Sequence, residues 1–134
     1  MNTIPIIIDD KKIEADPGKT ILEICRENEI DILTMCHLKG ILDIGACRLC
    51  LVEIERVNRL LSACTTKVAP NMIIRTNTDR IRKYQRITTE LLFAERNHVC
   101  AVCVANGKCE LQDLGYHVGL DHIRYPHLFP QCEV

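Results

Sequence analysis

The chain has 134 residues, 47% apolar and 26% charged, with 17 basic side chains against 18 acidic ones. That length and balance fit one ordinary domain or a small domain with an appendage. They exclude a disordered chain and offer no electrostatic grip on a nucleic acid or an anionic membrane. Aromatics are scarce, with no Trp, three Tyr and two Phe, which removes the stacking platforms a single-strand binder needs. The opening MNTIPIIIDDKK carries acids where a signal peptide has its apolar core, and no apolar run reaches membrane-spanning length. A cytoplasmic location is expected, and nine cysteines in a reducing compartment argue for metal or redox chemistry over disulfides.

Residues 3–8 form a β-rich run, Asp9-Asp10 a turn, and residues 11–14 alternate back, which predicts an opening hairpin. Asp16-Pro17-Gly18-Lys19 is a second turn. Thr20 is placed to cap a helix running through Asn28, with Glu23 at the capping-box position and Ile21, Leu22, Ile24 and Cys25 as its buried stripe. Cys25 is read there as a small buried hydrophobe, not a ligand. Residues 30–35 lead into Cys36 and a loop. Residues 48–56 then alternate as a strand, residues 60–64 return, Ala69-Pro70-Asn71 turns, and residues 72–76 form a further strand. This is a compact α+β order. Thr78-Asp79 opens a helix to about Glu95, with Ile81, Tyr84, Ile87/Thr88 and Leu91/Leu92 at helical spacing. A domain boundary is expected near Thr78, giving modules 1–77 and 78–134. Residues 110–114 form a short helical stretch, and the tail, 117–134, reads as an extended wrapping segment. It ends without a capping element, which points to a natural chain continuing past Val134.

The loop of the first module reads Cys36-HLKGILDIGA-Cys47-RL-Cys50-LVEIERVNRLLSA-Cys64, four thiols separated by ten, two and thirteen residues. Gly45 and Ala46 keep the approach to the close pair free of bulk. Zinc, an iron–sulfur cluster and no metal are the competing readings. Structural zinc usually shows two close pairs, one on each side of a loop. Here one close pair is flanked by two distant single cysteines, as in plant-type ferredoxins, although ten residues and not four precede the pair. The spacing favours a two-iron cluster over zinc. The second group, His98-V-Cys100-AV-Cys103-VANGK-Cys109, offers three thiolates, one short of a full set. His98 is the nearest fourth donor, since imidazole binds iron as well as zinc. Cys132 in the tail competes for that position, with His117 and His122 behind it.

Other signals are bland. Gly18-Lys19-Thr20 echoes the end of a phosphate loop but lacks the upstream glycine and preceding strand, and reads as a turn and helix cap. Arg75, Arg80, Arg82, Lys83 and Arg86 read as a solvated helix face, with docking of an acidic partner as the sharper alternative. No Ser/His/Asp group or carboxylate pair is convincing, so catalysis is expected to belong to partners.

On these residues, and above all on the run NHVCAVCVANGKCELQD, the chain resembles a family of iron–sulfur subunits over nearly all its length. These accompany NADH-oxidising flavoproteins: the small diaphorase subunit of cytoplasmic NAD-reducing nickel–iron hydrogenases, and the N-terminal region of the large iron–sulfur subunit of complex I. The resemblance implies an α+β fold, a ferredoxin-type β-grasp domain followed by a small helical iron–sulfur module with one histidine and three cysteine ligands. It implies a [2Fe–2S] cluster on Cys36, Cys47, Cys50 and Cys64, and a [4Fe–4S] cluster on His98, Cys100, Cys103 and Cys109. The complex I pattern has its histidine four residues before the first cysteine, where Arg96 stands here; His98 lies two before it. The implied function is relay of single electrons between an FMN-containing, NADH-oxidising flavoprotein subunit and a hydrogenase or other dehydrogenase subunit. A complex I-type or formate-dehydrogenase-associated relay, a free-standing ferredoxin-like carrier and a zinc-stabilised interaction module are the alternatives.

Overall fold

The computed structural model describes residues 2–35, 46–95 and 100–126. The described elements are β1 (Ile4–Ile8), β2 (Lys11–Ala15), α1 (Ile21–Glu27), β3 (Leu51–Ile54), β4 (Leu61–Ser62), β5 (Ile73–Arg75), α2 (Asp79–Ala94), a 3-10 turn over Cys100–Val102, and α3 (Glu110–His117). The chain divides into two units, Met1–Ile81 and Arg82–Val134, with α2 starting in the first and continuing into the second.

In the first unit β1 and β2 are joined by Asp9 and Asp10, whose φ angles of 47° and 67° are the paired positive values a tight two-residue hairpin requires. Short polar side chains tolerate that region better than most. Asp9 also accepts hydrogen bonds from the Thr76 N–H (2.9 Å) and the Thr76 hydroxyl, tying the hairpin tip to the end of β5. The sheet order is β2-β1-β5-β3-β4, with β1 and β5 parallel and the remaining pairs antiparallel. Period-two alternation turns Ile6, Ile8, Val52, Ile54 and Ile74 into the core, where Ile21, Leu22, Ile24 and Cys25 of α1 meet them. Each large aliphatic side chain withdrawn fully from water contributes roughly 1.5–3 kcal/mol.

Both ends of α1 are closed by hydrogen bonds within the first unit. Thr20 Oγ1 accepts from the Glu23 N–H at 3.3 Å, and the Glu23 carboxylate accepts from the Thr20 N–H at 2.8 Å. The next two N–H groups, of Ile21 and Leu22, donate to the carbonyls of Thr66 (2.9 Å) and Ala63 (3.0 Å). At the C-terminus Glu29 takes the left-handed conformation (φ 58°). There the Glu29 and Ile30 N–H groups return to the Arg26 and Cys25 carbonyls, at 3.3 and 2.8 Å, in the paired closure usual for helix ends.

In the second unit the buried face of α2 differs from the expectation. Tyr84 and Leu91 are exposed, whereas Gln85, Thr89, Glu90 and Ala94 are buried. The stripe is rotated because Glu90 can be buried: the Arg124 N–H, Nε–H and Nη2–H all donate to its carboxylate, Nη2 at 2.9 Å. A buried carboxylate so surrounded is no longer an orphan charge. Its side chain is 1% exposed. Arg86 pairs with Asp121 at 3.1 Å, and the Arg124 guanidinium lies 5.6 Å from the Tyr125 ring centre. These bonds fasten residues 121–125 to α2. Helix α3 runs to His117, three residues beyond the expected end, and comes close to α2 at Gly115, where an added Cβ would lie 3.2 Å from the Phe93 ring. The tail from 127 onward, with Cys132, lies outside the described residues. Among the described residues no helix is long and apolar enough to cross a membrane.

Two outcomes follow from these contacts. Thr20→Ala removes half of the capping box and should destabilise the first unit by about 1 kcal/mol, with Thr20→Ser recovering most of it. A urea titration reads this as a lower midpoint at unchanged slope. In the second unit, hydrogen bonds from Arg124 hold the Glu90 carboxyl below the usual carboxylate range. A depressed folded value stabilises above the unfolded pKa, about 4.3, and that contribution is lost as pH falls through the folded value. The thermal advantage of wild type over Glu90→Gln should be full at neutral pH and shrink below about pH 4. An advantage constant through acid, by far-UV circular dichroism, would refute the assignment.

Candidate metal centres

Three cysteines of the first group are described, Cys47, Cys50 and Cys64; Cys36 and Gly45 lie outside the described residues. Cys47 and Cys50 flank Arg48 and Leu49. Arg48 is left-handed, with φ 54°, and Leu49 is fully buried, so the chain reverses between the two thiols about an anchored side chain. That conformation costs a non-glycine residue roughly 1–2 kcal/mol. Cys50 directly precedes β3 and Cys64 follows β4. In their register Leu51 faces Ser62, and the ladder continues one step further, with the Ala63 N–H donating to the Cys50 carbonyl at 2.7 Å. Thirteen intervening residues thus fold so that Cys50 comes to lie opposite Ala63, the residue before Cys64. Cys50 and Cys64 are both buried at 1% exposure, while Cys47 is half-buried.

The turn carrying Cys64 is held from several sides. The Ser62 carbonyl accepts from the Thr66 N–H (3.1 Å) and hydroxyl (2.8 Å). The Ala63 and Thr66 carbonyls take the first N–H groups of α1. From the opposite loop, Arg48 Nη1 donates to Ser62 Oγ at 3.0 Å.

In the second group Cys100 opens the 3-10 turn, and the Cys103 N–H returns to the Cys100 carbonyl at 3.1 Å. Gly107, at φ 80°, supplies the left-handed turn before Cys109. Gln112 of α3 clasps this turn, accepting from the Gly107 N–H and donating to Asn106 Oδ1, both at 3.0 Å. Cys109 stands at the N-cap of α3 without a side-chain cap bond. Cys103 is exposed, Cys100 and Cys109 are half-buried, and the flanking Val102 and Val104 are bare at 81% and full exposure. Cys100 also lines a cavity of about 390 Å³ together with Phe93, Tyr116 and His122. His98 lies outside the described residues. Of its tail rivals, His117 ends α3, His122 has Nδ1 2.6 Å from Asp121 Oδ1, and Cys132 is likewise outside.

None of the seven described cysteines is disulfide-bonded. Cys25 stands apart, because burial in α1 pushes its thiol up to about 12 and leaves it a protonated apolar side chain at neutral pH. Among the described residues no three His, Cys, Asp or Glu side chains gather as around a single metal ion. An iron–sulfur cluster spreads soft thiolate ligands over two or more irons, and the donor set here has that chemistry. Arg48, Ser62, Gln112 and the Glu90–Arg124 pair were not singled out from sequence as parts of these frames. A left-handed φ at a non-glycine residue leaves no mark in a sequence, and Arg124 stands 34 positions from its partner.

Comparison with known proteins gives each cysteine group a relative. A family described as the 2Fe-2S iron-sulfur cluster binding domain matches residues 1–79, and one described as the NADH-ubiquinone oxidoreductase-G iron-sulfur binding region matches residues 85–124. The gamma chain of the NAD-reducing hydrogenase HoxS of Cupriavidus necator is 34% identical over 128 residues, covering 96% of this chain and 54% of that one. The NADH-ubiquinone oxidoreductase 75 kDa subunit of Reclinomonas americana is 33% identical over 122 residues, covering 91% of this chain and 18% of that one. A chain in the solved structure of an NAD+-reducing [NiFe]-hydrogenase in the H2-reduced state superposes with a TM-score of 0.87 at 29% identity, over 97% of this chain and 55% of that one. The chain therefore spans about half the length of these hydrogenase relatives. The expected cofactors, one [2Fe–2S] and one [4Fe–4S] cluster, agree with the two matched regions, and the mixed sheet with its helices is the α+β, ferredoxin-like fold. By its first 79 residues the chain belongs to the family of the 2Fe-2S iron-sulfur cluster binding domain, and it continues into an NADH-ubiquinone oxidoreductase-G iron-sulfur binding region.

Proposed function

We propose that this chain is an electron-relay subunit, carrying single electrons between an NADH-oxidising, FMN-containing flavoprotein subunit and a hydrogenase subunit. One observation carries the reading: two separate matched regions each enclose one cysteine group, which supports two redox centres on one chain. Residues 1–77 form the first module, with Cys36, Cys47, Cys50 and Cys64 as ligands of the [2Fe–2S] cluster. Residues 78–134 form the second, with His98, Cys100, Cys103 and Cys109 as ligands of the [4Fe–4S] cluster. When bound, such clusters supply one-electron oxidation and reduction at potentials set by charge, hydrogen bonds to sulfur and solvent access.

The chain's own residues set those conditions differently at the two places. Around Cys50 and Cys64 the β3–β4 frame excludes water. At Cys103 the bare valines leave the site at the surface, where another redox protein can approach. The reading needs no active site on this chain, no nucleic acid and no membrane insertion, and it belongs in the cytoplasm. A complex I-type relay is the second reading, favoured by the 33% identity to the Reclinomonas americana protein. Affinity purification separates them: hydrogenase subunits should accompany the flavoprotein in the first case, and quinone-reductase subunits in the second.

Anaerobically purified protein should contain iron and acid-labile sulfide in the proportions of one [2Fe–2S] and one [4Fe–4S] cluster, with both EPR signals after reduction. Fully folded protein lacking iron and sulfide would refute the relay. Replacing a neutral imidazole by a thiolate adds negative charge, so His98→Cys should lower the reduction potential of the second cluster. An unchanged potential in a redox titration would move the fourth position to another residue, Cys132 first.

A further inference from the structure

We infer that Arg48 and Ser62 form a positioning clamp for the [2Fe–2S] site, joining the loop that carries Cys47 and Cys50 to the turn that carries Cys64. This rests on the ligand assignment of the first module and goes beyond it, since neither residue is itself a ligand. The guanidinium of Arg48 reaches Ser62 Oγ at 3.0 Å across 14 positions of sequence, and Ser62 is 2% exposed. Each partner sits two residues from a buried cysteine, Arg48 before Cys50 and Ser62 before Cys64.

The backbone alone leaves this joint incomplete. The Ala63 N–H bond to the Cys50 carbonyl fixes the strand ends, at 2.7 Å, but lies beyond the Cys47–Cys50 reversal. That reversal depends on Arg48 holding a left-handed conformation that its side chain does not favour, φ 54°. The long-range bond to a buried hydroxyl opposes relaxation of that residue toward ordinary backbone. Relaxation would swing Cys47 away from Cys50. The clamp also fixes the cationic side chain of the residue that follows Cys47, and in this proposal its charge favours the more negative, reduced state of the site.

Removing either partner tests the two effects apart. Ser62→Ala breaks the clamp, keeps the charge and leaves no bulky hole. Arg48→Met removes the guanidinium and its donors while leaving the residue's backbone preference that of an ordinary side chain. Arg48→Lys keeps the charge and a donor. In the anaerobic holoprotein, loss of the two-iron EPR signal to an iron chelator should be about tenfold faster in Ser62→Ala and in Arg48→Met. The double variant should be no faster than the worse single one. Arg48→Lys should recover part of the effect, and only Arg48→Met should lower the potential markedly. Wild-type rates in Ser62→Ala, or single effects that multiply in the double variant, would overturn the clamp while leaving the cluster assignment standing. A wild-type chain that takes up no two-iron cluster would overturn the assignment and the clamp together.

Discussion

The peptide of Ala63 is the joint on which the first unit depends. Its N–H closes the β3–β4 ladder onto Cys50, and its carbonyl takes an otherwise orphaned N–H from the first turn of α1. The same short turn, residues 62–66, carries Cys64 and accepts the Ile21 N–H through Thr66. Helix, sheet and cysteine loop therefore share one set of backbone hydrogen bonds. Moving α1 by an ångström strains the ladder, and straining the ladder displaces two of the three described cysteines of the first group. That coupling explains why a helix with no ligand of its own is packed so completely, with Ile21, Leu22, Ile24 and Cys25 all at 2% exposure or less.

Among the described residues of the second unit few apolar side chains are fully buried, which poses a different problem. Its helix α2 presents Thr89 and Glu90 where a core would ordinarily want aliphatics. Thr89 satisfies its hydroxyl by donating to the Gln85 carbonyl at 2.8 Å, and Glu90 is satisfied by Arg124. Such a core specifies which segment packs against the helix, because only a donor-rich residue in the right place can neutralise the carboxylate. The consequence is order in a stretch, 121–125, that has almost no hydrophobic pattern to hold it.

Much of the fold was legible because its determinants are local. The hairpin at Asp9-Asp10, the capping box of Thr20 and Glu23 and the burial of Cys25 follow from neighbours in sequence, and each is found where those neighbours put it. The cysteine spacing was legible for a similar reason, since ligand chemistry limits what four thiols with one close pair can hold. What was not legible is non-local. Hydropathy alone put Tyr84 and Leu91 on the buried face of α2, and only the arrival of Arg124 makes the face with Glu90 the buried one. The β3 strand is shorter than residues 48–56 suggested, because residues 48–50 are spent on the reversal between cysteines and Glu55-Arg56 turns away, Arg56 at φ 69°.

The two centres also differ in how their frames are made. The bonds around Cys50 and Cys64 join residues far apart in sequence: Ala63 to Cys50, Ile21 to Thr66, Leu22 to Ala63. Those around the second group are mostly three-residue turns, Cys103 to Cys100, Asn106 to Cys103 and Lys108 to Ala105, closed by one side chain, Gln112. Long-range bonds belong to the cooperative core and open only with it, whereas local turns open on their own. The part of the first group around Cys50 and Cys64 is therefore shaped by folding before any ligand arrives. The second group stands on short turns of an exposed loop, and a metal held there, as proposed, would supply much of the order of its own site, because ligand binding and local folding are one equilibrium where no preformed core exists.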